Sequence, residues 1–316
     1  MSQAQLEHPG PGTMIASWAD DRARRLARAM DYVQLMKPRI VVLLLVTTLC
    51  AMLVAAGGMP NVRVALAGLL GLGLSSGGAN AVNMWYDRDI DAVMRRTRNR
   101  PVPAGRLSAT SALWFGLACE AVSVAVLAAW TTPLAAVLSL AGFVYYVVVY
   151  TMGLKRRTPQ NIVIGGGAGA FPPLVGWAAV TGGIGLAPLL MFLIIFLWTP
   201  PHFWSLALYR QDDYRRAHIP MMPVARGERT TKVQSVVYAA LTLLASVALY
   251  ATGVVTAAYL VVALAAGLAF VAFTVRSLRE HLPDVTWAKR TFHFSLLYLA
   301  AVFGAMVVSV PGLFGR

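Results

Sequence analysis

Asn83, Asp87 and Asp91 stand four residues apart at the end of an apolar, helix-length run, and Arg95, Arg96, Arg98 and Arg100 follow at once. On a continuing helix, residues four apart share one face, drifting by roughly 40° per step. The spacing predicts a stripe of amide and carboxylate oxygens closing that helix. Such a stripe is unfavourable in two ways. It brings charge to the edge of an apolar segment, and it sets negative charge near a helix C-terminus, against the macrodipole. Bound cations relieve both penalties, and hard oxygen donors suit Mg²⁺. The competing reading is a solvated acidic–basic loop.

A second acidic pair, Asp212 and Asp213, lies after another apolar run, flanked by Arg210 and Arg215. Carboxylates for a metal beside arginines for phosphate oxygens form a constellation suited to a metal-bound diphosphate. Arg98, Arg100, Lys155, Arg210 and Arg215 are the basic residues expected to approach it.

The elements that must position these groups are membrane helices. Of 316 residues, 58% are hydrophobic and 13% charged, a composition foreign to soluble domains. Nine spans are expected, at 39–58, 62–83, 109–130, 133–151, 161–181, 186–208, 233–253, 255–275 and 292–312. With the N-terminus inside, only Arg63 and Arg316 of the 27 basic residues fall outside the inner segments. The positive-inside rule then predicts nine helices with a cytoplasmic N-terminus and an outer C-terminus. Both acidic clusters fall at inner ends of even-numbered spans, so they can face one another across one vestibule. The net charge of +14 is accounted for by orientation and anionic lipid headgroups, with no nucleic acid required.

The division expected is a cytoplasmic N-terminal tail, 1–37, and a single all-α transmembrane domain, 38–316. The tail has no apolar h-region and is no secretory signal. Ile15, Trp18, Leu26, Met30 and Val33 fall roughly on one helical face, which predicts a helix lying on the cytoplasmic membrane surface. A solvated tail is the alternative. Cys50 and Cys119 form no disulfide framework or zinc motif.

Asn83-x3-Asp87-x3-Asp91 in a nine-span chain resembles the UbiA superfamily of intramembrane prenyltransferases. Within it, NMWYDRDIDAVMRRTRNRP over 83–101 looks like the branch that farnesylates protoheme IX. The segment Trp198-Thr-Pro-Pro-His202-Phe-Trp-Ser and the stretch Asp213-Tyr214-Arg215-Arg216-Ala217-His218-Ile219-Pro220 are similar to the same branch. The resemblance runs from about Lys37 onward. Quinone-type members carry a second DxxxD; here Asp213 has Ala217 four residues on and Tyr209 four back. The heme branch shows that same reduction.

The resemblance implies a nine-helix bundle around a central cavity opening near the cytoplasmic face of a bacterial inner membrane. It implies that Mg²⁺ on Asn83, Asp87, Asp91 and Asp213 bridges the diphosphate of farnesyl diphosphate. Arg95, Arg96, Arg98, Arg100, Lys155, Arg210 and Arg215 join Tyr209, Tyr214 and His202 as substrate-binding residues. The farnesyl group passes to a vinyl group of heme b, giving heme o for a terminal oxidase. Product hand-over to a heme a synthase or an oxidase assembly factor stays open. Rival readings are another aromatic acceptor, such as a quinone precursor or chlorophyllide, and a cation transporter.

His202 precedes Asp213 by eleven residues, so both are expected on one face of the sixth helix. Its reading as an axial ligand or orienter of heme iron competes with a packing histidine bonded to a carbonyl. Tyr86, Tyr209 and Tyr214 are expected in an interfacial belt, with cavity lining as the alternative. Glu120, alone among the acids in lying deep within a span, is a candidate contact to substrate or to a neighbouring helix. The Gly165–Ala170 run lacks the strand and lysine of a nucleotide loop and predicts close helix packing.

Overall fold

The computed structural model describes residues 11–310 and 313. Helix α1 (Pro11–Leu35) precedes nine membrane-length spans built of α2 (Pro38–Ala56), α3 (Val62–Tyr86), α5 (Ala109–Trp130), α6 (Pro133–Val144) with a π-helical extension (Tyr145–Leu154), α7 and α8 (Asn161–Gly165, Gly167–Thr181), α9 (Leu186–Tyr209), α12 (Gly227–Tyr250), α13 (Ala257–Leu278) and α14 (Thr286–Val308). Short α4 (Arg88–Val93), α10 (Gln211–Arg216) and α11 (Met222–Ala225) lie in the connections. No strand occurs among the described residues. Up-and-down threading gathers the arginine-rich connections at one end of the bundle.

Two spans begin six residues earlier than the hydropathy pattern indicates, α12 at Gly227 and α14 at Thr286. Their first turns are polar but anchored. Lys232 bonds Glu228 and donates to the Glu280 carbonyl at 2.8 Å, while the Glu280 carboxylate accepts from Ala288 N at 3.1 Å. Hydropathy does not register a helix that runs on past the apolar zone.

Small residues let the spans approach. A Cβ on Gly78 would meet Gly116 O at 2.6 Å, and one on Gly77 would meet Met36 Cε at 2.4 Å. In the Gly165–Ala170 run, Gly165 lies against the Tyr150 ring, Gly166 against Thr199 and Gly167 against Tyr145. The run is a packing surface, as expected, and its partners are two tyrosines of the π segment and Thr199 of α9.

Near the middle of α5, Glu120 is buried beside Ser75 of α3, and neither carboxylate oxygen has a hydrogen-bond partner among the described residues. An unsatisfied buried polar group costs about 1–3 kcal/mol. Glu120→Leu is therefore expected to raise the thermal unfolding midpoint in detergent with turnover unchanged. A lower midpoint would mean that Glu120 holds α5 to α3 by a bond this packing lacks.

Candidate active site

Helix α3 does not run straight into the acidic stripe. It ends at Tyr86, and Asp87 caps it with φ −86° and ψ 9° before α4 starts at Arg88. The i→i−4 ladder continues through the break, with Asp87 N to Asn83 O at 2.9 Å and Asp91 N to Asp87 O at 2.8 Å. The stripe therefore keeps its face. The expected macrodipole penalty is reduced, however, because Asp89 and Asp91 now occupy the first turn of a new helix.

Asp87 is fully buried and Asp91 nearly so. Asn83 Nδ2 donates to Asp87 Oδ2 at 2.7 Å, Lys155 pairs with the same oxygen, and Arg156 reaches Oδ1 at 3.3 Å. Arg100 pairs with Asp91 Oδ2 at 2.6 Å. Lys37 donates from Nζ to Asn83 Oδ1 at 2.8 Å. Lys37 is one of two described non-glycine residues with positive φ, 53°, although Pro38 follows it. A strained conformation is found where surrounding structure imposes it, and here it turns the lysine under the stripe. Loss of hydration, then the charges of Arg100 and Lys155, holds its ammonium well below the usual lysine range, against the raising influence of Asp91 and Asp87.

Arg156 grips Asp89 with two bonds of 2.7 Å and lies 4.9 Å over the Tyr86 ring. That grip lowers the Asp89 pKa and raises that of Arg156. Asp89 nonetheless remains largely exposed.

The π segment supplies much of the opposite wall. Its wider turn aligns Tyr146, Tyr150 and Lys155, with Lys155 N bonded to Tyr150 O at 2.9 Å and Thr151 Oγ1 to Tyr146 O at 2.8 Å. Thr151 in turn accepts from Asn83 at 3.1 Å, and Tyr146 donates to Asn80, one turn deeper on α3. The Tyr146 and Tyr150 rings stack with centroids 5.6 Å apart.

Asp213 enters on α10. Tyr214, Ile219 and Met222 pack with Ile90 and Met94 of the α4 region, which sets the two acidic segments side by side. Asp213 is buried and paired with Arg216, whereas Asp212 is exposed and meets Arg215. Burial raises the Tyr214 hydroxyl pKa, and the Arg96 charge opposes that shift.

Other expected residues stay apart. Arg95, Arg96 and Arg98 are exposed, with no ion pair among the described residues. Arg210 lies over the Tyr209 ring at 5.7 Å, and Arg215 bonds Gln211 at 2.7 Å; neither touches Asp87 or Asp91. His202 does not share a helix face with Asp213. Helix α9 stops at Tyr209, Arg210 leaves the helical region (φ −121°, ψ 21°), and α10 restarts with its own phase. His202 instead lies between Trp198 and Phe292, bonded to Ser295.

Among the described residues, no three carboxylate, imidazole or thiolate groups converge in a preformed metal cage. The donor chemistry nonetheless fits a hard divalent ion. Asp91 and Asp213 each hold their cation through one oxygen, and Asp91 Oδ1 and Asp213 Oδ2 accept no hydrogen bond among the described residues. Lys37, Arg100, Lys155 and Arg156 around the same carboxylates suit a polyanion arriving with that ion. Lys37, Asn80, Tyr146, Tyr150, Thr151 and Arg156 were not singled out by sequence. The π register hides the tyrosines, because a 3.6-residue wheel puts Tyr150 and Lys155 on different faces.

The UbiA prenyltransferase family model matches residues 44–297. A protoheme IX farnesyltransferase of Symbiobacterium thermophilum is 54% identical over 292 residues, covering 92% of this chain and 98% of that protein. One from Acidiphilium cryptum is 47% identical over 289 residues, covering 89% and 91%. Among solved structures, a digeranylgeranylglyceryl phosphate synthase superposes with a TM-score of 0.76 at 15% identity, over 90% of this chain and 99% of that one. A UbiA homologue from Archaeoglobus fulgidus bound to DMAPP and Mg²⁺ superposes with a TM-score of 0.67 at 18% identity, over 88% and 99%.

Proposed function

The chain belongs to the UbiA prenyltransferase family, and from that premise we infer that it transfers the farnesyl group of farnesyl diphosphate to a vinyl group of heme b, giving heme o and diphosphate. The carrying observation is the fully buried Asp87, shared by Asn83, Lys155 and Arg156 at the mouth of an apolar bundle. Relatives at 47–54% identity favour heme over another aromatic acceptor.

Asn83, Asp87, Asp91 and Asp213 would hold Mg²⁺. Held there, it would supply Lewis-acid neutralisation of the charge on the diphosphate. Lys155, Arg156, Arg100 and Lys37 receive the same developing charge through fixed donors, which is transition-state rather than ground-state binding. The exposed Arg95, Arg96 and Arg98 draw the polyanion in from solvent. Tyr146 and Tyr150, a turn deeper, form an electron-rich wall beside the allylic cation and help keep water from it until the vinyl carbon has attacked. Water then adds to the resulting cation on the porphyrin side chain, and its proton leaves to diphosphate or solvent.

The basic end faces the cytoplasm of a bacterial inner membrane, in keeping with the charge asymmetry. Helix α1 lies on that surface. Leu26, Met30 and Val33 are exposed on it, while Asp31 ties it to Arg106 at 2.8 Å. Ile15 and Trp18 lie outside the described side chains.

Purified protein incubated with farnesyl diphosphate, Mg²⁺ and heme b should yield a heme heavier by one farnesyl group and one hydroxyl on mass analysis. Folded protein giving no such pigment, or prenylating a quinone precursor in its place, would remove this reading.

A further inference from the structure

Ser295 and His202 form an arrangement that the carboxylate site leaves unexplained. Ser295 Oγ lies 2.6 Å from the Phe292 carbonyl oxygen and 2.7 Å from His202 Nδ1. A carbonyl oxygen only accepts, so the single serine proton is directed to Phe292. The proton between serine and histidine then belongs to Nδ1, which donates to Oγ. Nε2 is left as the nitrogen bearing the lone pair, and it has no hydrogen-bond partner among the described residues.

The ring is held as firmly as its tautomer. Trp198 stacks on it at 4.2 Å and 17°, and Phe292 at 4.7 Å and 23°, while Phe203 meets it edge-on at 5.5 Å. Trp198 Nε1 donates to the Ser295 carbonyl at 2.8 Å, which ties α9 to α14 at this level. No ion pair involves His202 among the described residues, and the groups packed on it are aromatic or hydroxyl. A neutral, oriented imidazole with one free lone pair in apolar surroundings suits the metal of a flat, largely apolar ligand.

We propose that Ser295 is a positioning residue that fixes the His202 tautomer so that Nε2 coordinates the iron of the heme substrate. The inference rests on heme b being the acceptor. Its physical form is the one general to metal-bound histidines, in which the second ring nitrogen donates to a fixed oxygen. Iron bound to α9 also limits rotation of the porphyrin and so favours one edge toward the departing diphosphate.

The test uses the full chain in detergent with heme b, following the Soret band and the heme dissociation constant. Wild type should give an imidazole-ligated spectrum. Ser295→Ala should weaken heme binding roughly 10- to 100-fold, the usual range when such a partner is removed, and shift the Soret band, while farnesyl diphosphate still binds. Ser295→Thr, which keeps the hydroxyl, should restore both readouts. Ser295→Cys carries the same expectation as alanine if the alanine protein fails to fold. His202→Ala should lose the imidazole-ligated spectrum and regain it with added imidazole. Serine variants that match wild type while His202→Ala loses the spectrum would sink the role of Ser295 alone. A His202→Ala protein with unchanged spectrum and affinity would remove iron ligation itself.

Discussion

Asp87→Asn is expected to lower kcat/KM about a thousand-fold, the largest loss from any single conservative change in the chain. The change preserves shape and removes charge. Asp87 is fully buried, and Asn83, Lys155 and Arg156 all meet its carboxylate. An asparagine there leaves Lys155 and Arg156 facing a neutral amide and takes one anionic donor from the divalent ion. Charge stabilisation by a metal site is worth several kcal/mol, and about 4 kcal/mol corresponds to the thousand-fold loss. Breaking a buried ion pair also destabilises by about 3–5 kcal/mol, so turnover must be compared at equal folded fraction, measured by near-UV circular dichroism. Asp89→Asn is the contrast. Its carboxylate is 60% exposed and ion-paired with Arg156, and its loss should cost less than about tenfold. If Asp87→Asn kept a tenth of wild-type turnover, the central carboxylate of the site would be elsewhere.

That carboxylate was legible because two independent patterns in the sequence converge on it. The four-residue spacing of Asn83, Asp87 and Asp91 survives the break at Asp87, since the backbone ladder passes through it. The near-exclusive placement of arginines and lysines in alternate connections gives the nine spans, which the structure reproduces. Residues set by departures from the regular helix could not be read the same way. Lys37 reaches Asn83 only through a left-handed turn before Pro38. Tyr146 and Tyr150 reach the stripe by a π register, and the break at Arg210 separates His202 from Asp213. Ser295 lies 93 residues from the histidine it bonds, and local spacing carries no trace of such a contact. Regular periodicity thus located the first acidic site, while irregular backbone and long-range pairing completed its surroundings.

The second acidic segment should respond very unequally to two neighbouring changes. Asp213→Asn is expected to reduce kcat/KM about a hundredfold or more, whereas Asp212→Asn should stay within about threefold of wild type. The difference follows from α10, a six-residue helix on which adjacent residues point roughly 100° apart. Tyr214 packs beside Ile90 and Met94, next to the first acidic site. Asp213 is buried, while the Asp212 side chain is 83% exposed. Among the described residues, Asp213 holds Arg216 through one oxygen and keeps the other without a hydrogen bond, whereas Asp212 meets only Arg215, at 3.4 Å. Loss of one anionic donor worth about 3 kcal/mol gives the hundredfold figure. The decisive measurement is the Mg²⁺ dependence of turnover. Asp213→Asn should need several-fold more Mg²⁺ for half-maximal rate, and Asp212→Asn should titrate as wild type does. The reverse order would assign the second carboxylate to Asp212 and require α10 to rotate when diphosphate binds. Equal, small effects would leave Asn83, Asp87 and Asp91 as the whole oxygen set for the metal.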